Sequence, residues 1–127
     1  MTGVQTCALP ISRAREYESD FAKVVYLTDG VMSLTLLNFK NEVMSGKATH
    51  PEGLGKEFVG LHHMGFWVDD VEKTSKLAKE NGGTYIMGEQ PGNTDGYYEI
   101  KYRDPNSVMF DITDSGWIGA EKDVDPK

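Results

Sequence analysis

The chain has 127 residues, with 39% hydrophobic and 26% charged residues, which is the composition of one globular domain. Its formal net charge is −7 because 20 acidic residues outnumber 13 basic ones. Nucleic acid and anionic membranes are therefore not expected as partners, since both require a basic surface. No apolar run approaches the roughly 20 residues that a membrane-spanning helix needs.

Residues 1–12 are predicted to be non-native or disordered and are excluded from the fold prediction. They lack the basic start and the sustained apolar run of a signal peptide. Residues 1–11 resemble a translated sequencing-adaptor fragment, and the alternative is a natural disordered tail. The single cysteine, Cys7, rules out an intrachain disulfide, which fits a cytoplasmic location.

Two β-strands are predicted at residues 23–28 and 31–39, because both runs are rich in β-branched, aromatic and aliphatic residues. The dipeptide Asp29-Gly30 between them is a strong tight-turn signal, so the two strands are predicted to form a hairpin. Residues 12–20 are polar and charged and are interpreted as a loop or the frayed end of a helix. In the second strand, alternation places Met32, Leu34 and Leu36 on one face and Ser33, Thr35 and Leu37 on the other.

Residues 40–57 are rich in glycine, contain Pro51 and show no periodicity, so they are interpreted as a connector. A strand is predicted next at residues 61–68. A helix follows, with Asp69 as the N-cap residue and Glu72 completing a capping box. Asn81-Gly82-Gly83 ends this helix. Its apolar stripe consists of Val71, Thr74, Leu77 and Ala78.

Three further strands are predicted at residues 84–87, 97–103 and 107–113. Asp104-Pro105-Asn106 joins the last two and is typical of a type I turn. The element order is therefore ββ, linker, βαβββ. The segments that begin at Tyr26 and Tyr102 resemble each other, which indicates an internal repeat of two modules. The predicted boundaries are 13–58 for an incomplete first module and its linker, 59–119 for a complete second module, and 120–127 for a tail.

A candidate site follows from alternation in the second module. The apolar face of the last strand (Val108, Phe110, Ile112) is expected to pack on the helix, so Met109, Asp111 and Thr113 face away from it. The same reasoning places His63 on the face of Asp111. An imidazole and a carboxylate suit Zn, Mn, Fe, Co or Ni. The alternatives are a pocket-lining imidazole bonded to the backbone and a solvated strand carboxylate.

Other candidate residues have ordinary structural interpretations beside functional ones. Trp67 shares the face of His63 and is interpreted either as a pocket wall or as packing. His62 is expected to be a satisfied, partly buried histidine. His50 is expected to be exposed. Sheet packing is expected for Tyr97, Tyr98 and Tyr102, and a solvated face for Lys101 and Arg103.

Residues 61–70 (LHHMGFWVDD), 101–106 (KYRDPN) and 110–112 (FDI) resemble the second module of the vicinal oxygen chelate superfamily. This group includes glyoxalase I, bleomycin-resistance proteins and extradiol dioxygenases. The resemblance implies an α+β fold in which paired βαβββ modules form a cupped mixed sheet, with the first module incomplete here. It also implies a small-molecule ligand with vicinal oxygens.

By this resemblance, His63 matches the first-strand metal ligand and Asp111 the last-strand carboxylate, with Asp in place of the usual Glu. Thr35 falls near the carboxylate position of the first module, and the remaining ligand is expected upstream of Met1. At most two of four ligands are then present, for Zn, Ni, Fe, Mn or Co. The implied pocket residues are Trp67, Thr35, Met109 and Thr113.

Three functional hypotheses follow. The first is a divalent-metal-dependent lyase, isomerase or dioxygenase. The second is a non-catalytic module that sequesters a small molecule without metal. In the third, the hairpin leaves an open sheet edge, and the chain is a fragment that forms a homodimer or is poorly stable.

Overall fold

A computed structural model describes residues 11–42, 55–88 and 98–122. These residues contain seven strands, one α-helix and a short 3-10 turn at Gly55–Glu57, arranged as two sheets. The α+β class is therefore confirmed. The elements are β1 (Ser12–Glu18), β2 (Ala22–Thr28), β3 (Ser33–Phe39), β4 (Met64–Trp67), α1 (Val71–Glu80), β5 (Thr84–Met87), β6 (Ile100–Arg103) and β7 (Met109–Thr113).

The first sheet is antiparallel, in the order β1-β2-β3. The predicted hairpin is confirmed: Asp29 Oδ1 accepts hydrogen bonds from the backbone N–H groups of Val31 (2.9 Å) and Met32 (2.8 Å). Gly30 has a φ of +95°, a conformation that favours glycine. The interpretation of residues 12–20 as a loop or helix end was wrong, because β1 pairs along β2 although every one of its residues is exposed.

One face of the first sheet carries an apolar surface formed by Val25, Leu27, Leu34 and Leu36, which we call the outer face. Cross-strand pairing of Leu27 with Leu34 and of Val25 with Leu36 puts these four side chains on the same side. Leu34 and Leu36 are 50% and 51% exposed. The outer face of the first sheet is thus open to solvent among the residues that the structure describes.

The second sheet is mixed, in the order β4-β7-β6-β5, with β4 parallel to β7 and the other pairs antiparallel. Helix α1 packs on it through a core of Val71, Tyr102 and Ile112. Phe110 packs against this core, so the predicted helix-facing side of β7 is confirmed for Phe110 and Ile112. Val108 instead lies before the strand and is 45% exposed.

Helix α1 begins one residue later than predicted. Asp70, and not Asp69, is the N-cap residue, and its Oδ1 accepts a 2.8 Å hydrogen bond from the backbone N–H of Lys73. Asp69 contacts Lys122 Nζ instead. Leu77 of the predicted stripe is 48% exposed.

Contacts after β7 join the two sheets. Thr28 Oγ1 donates a hydrogen bond to the carbonyl of Gly119, and the N–H of Glu121 donates to the carbonyl of Val31 at 2.9 Å. The predicted connector lies mostly in residues 43–54, outside the described residues. No helix in the described part of the chain is long and apolar enough to cross a membrane.

Candidate functional site

The site is centred on Asp111, which lies in β7 between β4 and β6. Register places it opposite Gly65 of β4 and Lys101 of β6. His63 directly precedes β4, and its Nε2 lies 3.1 Å from Asp111 Oδ2. The Asp111 side chain is only 1% exposed. The prediction that His63 and Asp111 share one face of the sheet is therefore confirmed.

Lys101 completes this centre, and sequence reasoning missed it. Its Nζ lies 2.6 Å from Asp111 Oδ2 and 2.9 Å from Glu99 Oε2, and its side chain is 13% exposed. The expected solvated face is thus wrong for Lys101. Alternation contained the signal, since Tyr102 packs beneath the helix and its neighbour Lys101 must point to the other side of the sheet.

Asp111, Lys101 and Glu99 form a cluster in which the opposite charges are paired. Burial raises the pKa of Asp111, but the hydrogen bond to His63 and the charge of Lys101 outweigh burial and hold the pKa below its usual value. Burial lowers the pKa of Lys101, but the charges of Asp111 and Glu99 outweigh it and raise the pKa overall. The lysine is therefore an ammonium ion held between two carboxylates.

A tryptophan supports the other end of the cluster. Trp117 Nε1 donates a hydrogen bond to Glu99 Oε1. Its indole lies so close to Gly65 that a Cβ there would be 2.5 Å from the ring. A glycine in β4 thus allows the indole to lie directly against the sheet. Glu99 and Trp117 were not identified from the sequence, although Glu99 shares the alternation of Lys101.

A cavity of about 330 Å³ lies beside this cluster. Both sheets contribute to its walls, and three of the lining side chains are aromatic. The lining includes Tyr26, Met87, Tyr98, Glu99, Lys101 and Trp117. The cavity therefore combines largely apolar walls with one largely buried cation.

Tyr26 of β2 is a residue of the first sheet that lines the cavity. Its ring stacks on Tyr17 with a centroid distance of 6.3 Å, and burial, Tyr17 and Glu99 together raise the pKa of Tyr26. The predicted repeat aligned Tyr26 with Tyr102, but Tyr26 faces the cavity and Tyr102 the helix core. Tyr26 lies three residues before the turn residue Asp29, as Lys101 lies three residues before Asp104, so Tyr26 corresponds to Lys101 and not to Tyr102. A shift of one residue along a strand moves a side chain to the opposite face of the sheet.

The four predicted pocket residues are not among those that line this cavity. Trp67 Nε1 donates a 2.8 Å hydrogen bond to the carbonyl of Asp114, and Thr35 pairs with Tyr26 across the hairpin. Met109 and Thr113 are 8% and 0% exposed. The pocket roles of these four residues stay predictions.

The structure describes some, but not all, of the remaining tyrosines and histidines singled out from the sequence. Tyr102 is 1% exposed, so its predicted packing role is confirmed. Tyr98 differs, because it lines the cavity and donates a 2.6 Å hydrogen bond to Asp114 Oδ1. His62 is half-buried, with its Nδ1 2.7 Å from His63 Nδ1, as a satisfied histidine should be. Cys7, His50 and Tyr97 lie outside the described residues.

A family model described as the Glyoxalase/Bleomycin resistance protein/Dioxygenase superfamily matches residues 13–112. The chain belongs to this superfamily. Two similar solved structures are a glyoxalase family protein from Enterococcus faecalis and a glyoxylase/bleomycin resistance protein/dioxygenase domain from Frankia sp. EAN1pec.

The Enterococcus faecalis protein is 19% identical, with 83% of this chain and 79% of that chain covered and a TM-score of 0.34. The Frankia domain is 14% identical, with 83% of this chain and 73% of that chain covered and a TM-score of 0.34. No curated protein matches the chain.

Membership of the superfamily raises the question of a divalent metal. His63 and Asp111 offer two donors, whereas a catalytic metal site has about three protein ligands. The described residues contain no group of three or more His, Cys, Asp or Glu side chains able to hold a metal. The ammonium of Lys101 already contacts the carboxylate oxygen that faces His63. The residues in this arrangement therefore do not fit a divalent metal.

Proposed function

We propose that the protein binds a small, largely apolar molecule in the cavity between its sheets and that this binding is independent of metal. The observation that carries the proposal is an aromatic cavity lined by a largely buried cation, the ammonium of Lys101, which is fixed on Asp111 and Glu99. Such a site recognises a ligand through apolar contact and a small number of oriented polar groups.

The size of the cavity limits the ligand. Ligand pockets in proteins occupy roughly 300 to 1,000 Å³, and about 330 Å³ lies at the lower end of that range. Rings from Tyr26, Tyr98 and Trp117 favour a flat molecule, because aromatic side chains pack well in offset-stacked and edge-to-face arrangements. A bicyclic aromatic compound meets both conditions.

Calorimetric titration with 2-ethylnaphthalene tests the proposal. We expect saturable binding to the wild type that is unchanged by EDTA. Met87 lines the cavity, so M87W should fill part of it and weaken binding by about tenfold or more, equivalent to about 1.4 kcal/mol. Met32 is 70% exposed, so M32W is a matched control that should bind like the wild type. Absence of binding, or binding abolished by EDTA, would contradict the proposal.

The alternative is a metal-dependent lyase, isomerase or dioxygenase acting on a molecule with vicinal oxygens. It is supported by the 3.1 Å approach of His63 Nε2 to Asp111 Oδ2. It requires the ammonium of Lys101 to leave the carboxylate and further ligands to join the pair. Titration with Co²⁺ distinguishes the two: one equivalent bound by the wild type and lost in H63A favours the alternative.

A further inference from the structure

We propose that Lys101 is the resident cation of this site and that its remaining N–H donates a hydrogen bond to a neutral carbonyl oxygen on the ligand. This inference rests on the proposed function, since it names the class of molecule that the cavity accepts. The ligand class is a flat aromatic ketone, aldehyde or amide.

The donor capacity of Lys101 leaves one N–H for the ligand. An ammonium has three N–H donors. Glu99 Oε2 and Asp111 Oδ2 accept two of them, at 2.9 Å and 2.6 Å. Among the described residues no further hydrogen bond to Lys101 Nζ is found, and Lys101 lines the cavity. The third donor is therefore available where a ligand would sit.

The surrounding contacts fix the direction of this donor before any ligand binds. Glu99 accepts a hydrogen bond from Trp117, and Asp111 contacts His63. His63 is itself held through its Nδ1, which lies 2.7 Å from His62 Nδ1. A donor fixed in advance loses little conformational freedom on binding, which strengthens the hydrogen bond that it makes.

The charge of the cluster selects a neutral acceptor over an anion. Glu99 and Asp111 carry two negative charges and Lys101 one positive charge, so the group has one net negative charge. A carboxylate placed at the third N–H would face both acidic side chains at short range in a partly buried site, where like charges repel strongly. A carbonyl oxygen accepts the same hydrogen bond without that repulsion.

Three probes of one shape test this inference by calorimetry: 2-acetylnaphthalene, 2-ethylnaphthalene and 2-naphthoate. We expect the ketone to bind the wild type about tenfold more tightly than the hydrocarbon, because a hydrogen bond to a charged donor is stronger than one between neutral groups. The naphthoate should bind more weakly than the ketone.

Substitutions of Lys101 test whether its ammonium causes the preference for the ketone over the hydrocarbon. K101M should bind the ketone and the hydrocarbon equally, and K76M is the matched control because the Lys76 side chain is 77% exposed on α1. K101M leaves two carboxylates without their cation, which can prevent folding. The comparison is therefore repeated in K101M/D111N, in which Glu99 alone restores the wild-type net charge of the cluster.

The outcomes separate this inference from the proposed function. Equal affinity of the wild type for the ketone and the hydrocarbon overturns the inference but leaves the proposed function standing. A ketone preference that persists in K101M/D111N, or tighter binding of the naphthoate than of the ketone, also overturns it. Failure of all three probes to bind overturns both.

Discussion

At the scale of the residue, Asp111 is the centre of the candidate site. Its carboxylate lies at the position that the superfamily resemblance assigns to a metal ligand, yet Lys101 Nζ approaches it at 2.6 Å. The side chain that approaches this carboxylate most closely is therefore Lys101, across the hairpin from Asp111. Asp111 Oδ1, the other oxygen of this carboxylate, is buried and has no hydrogen-bond partner among the described residues.

We predict that D111A destabilises the protein by about 3 kcal/mol, because removal of one partner leaves the largely buried Lys101 short of a counter-charge. K101M/D111A should recover part of this loss, since the double variant has no charge left at either position. Urea denaturation of the two single variants and the double variant measures the coupling. Strictly additive effects would show that the two side chains do not interact energetically.

Tyr98 gives a prediction about alkaline stability. Burial and the hydrogen bond to Asp114 raise the pKa of Tyr98 from 10.0 to about 12. Because the folded state holds this proton more tightly than the unfolded state, the stabilisation is complete below about pH 10 and is lost as the pH rises to about 12. Urea unfolding across this range should show a smaller decrease in stability for Y98F than for the wild type. Equal pH dependence of both proteins would contradict the assignment.

Among the elements, α1 and β1 show what local patterns do and do not specify. Two adjacent acids, Asp69 and Asp70, are both suitable N-cap residues, and the capping-box spacing to Glu72 favoured Asp69. In the structure Asp70 is the N-cap residue and accepts a hydrogen bond from the N–H of Lys73, whereas Asp69 contacts the ammonium of Lys122. Strand β1 has no apolar alternation, so only its pairing with β2 reveals it.

The N-cap assignment predicts unequal effects of two neighbouring substitutions. D70A should lower the free energy of unfolding by about 1 kcal/mol, since it leaves the backbone N–H of Lys73 without its side-chain acceptor. D69A should cost less, because its salt bridge to Lys122 is exposed to solvent. Thermal or urea unfolding of the two variants provides the comparison, and a larger loss in D69A would place the cap at Asp69.

On the scale of the whole molecule, the outer face distinguishes the two sheets. Helix α1 covers one side of the second sheet, whereas Leu34 and Leu36 of the first sheet are half exposed. Exposed apolar patches of this kind promote association. The homodimer predicted from the open hairpin remains a proposal, and the outer face is the surface that we assign to it.

We predict that the wild type self-associates in sedimentation velocity experiments and that L34K/L36K shifts it towards the monomer. The two charges that L34K/L36K places on each protomer, in the centre of an apolar contact, would have to be buried without a partner. Leu77 is 48% exposed on α1, so L77K is a control with a matched substitution and similar exposure. A wild type that stays monomeric at every concentration would exclude this contact.

The sequence by itself determined the succession of strands and helix along the chain after β1, the hairpin at Asp29-Gly30, and the placement of His63 and Asp111 on one face. These features depend on the alternation of side chains and on turn residues, which act over a few residues and can therefore be predicted from a single sequence. Only the tertiary structure decided that Lys101 reaches Asp111, that Trp117 supports Glu99, and that Tyr26 lines the cavity. Those contacts depend on strand register and on how two sheets meet, which are set by packing across long sequence separations.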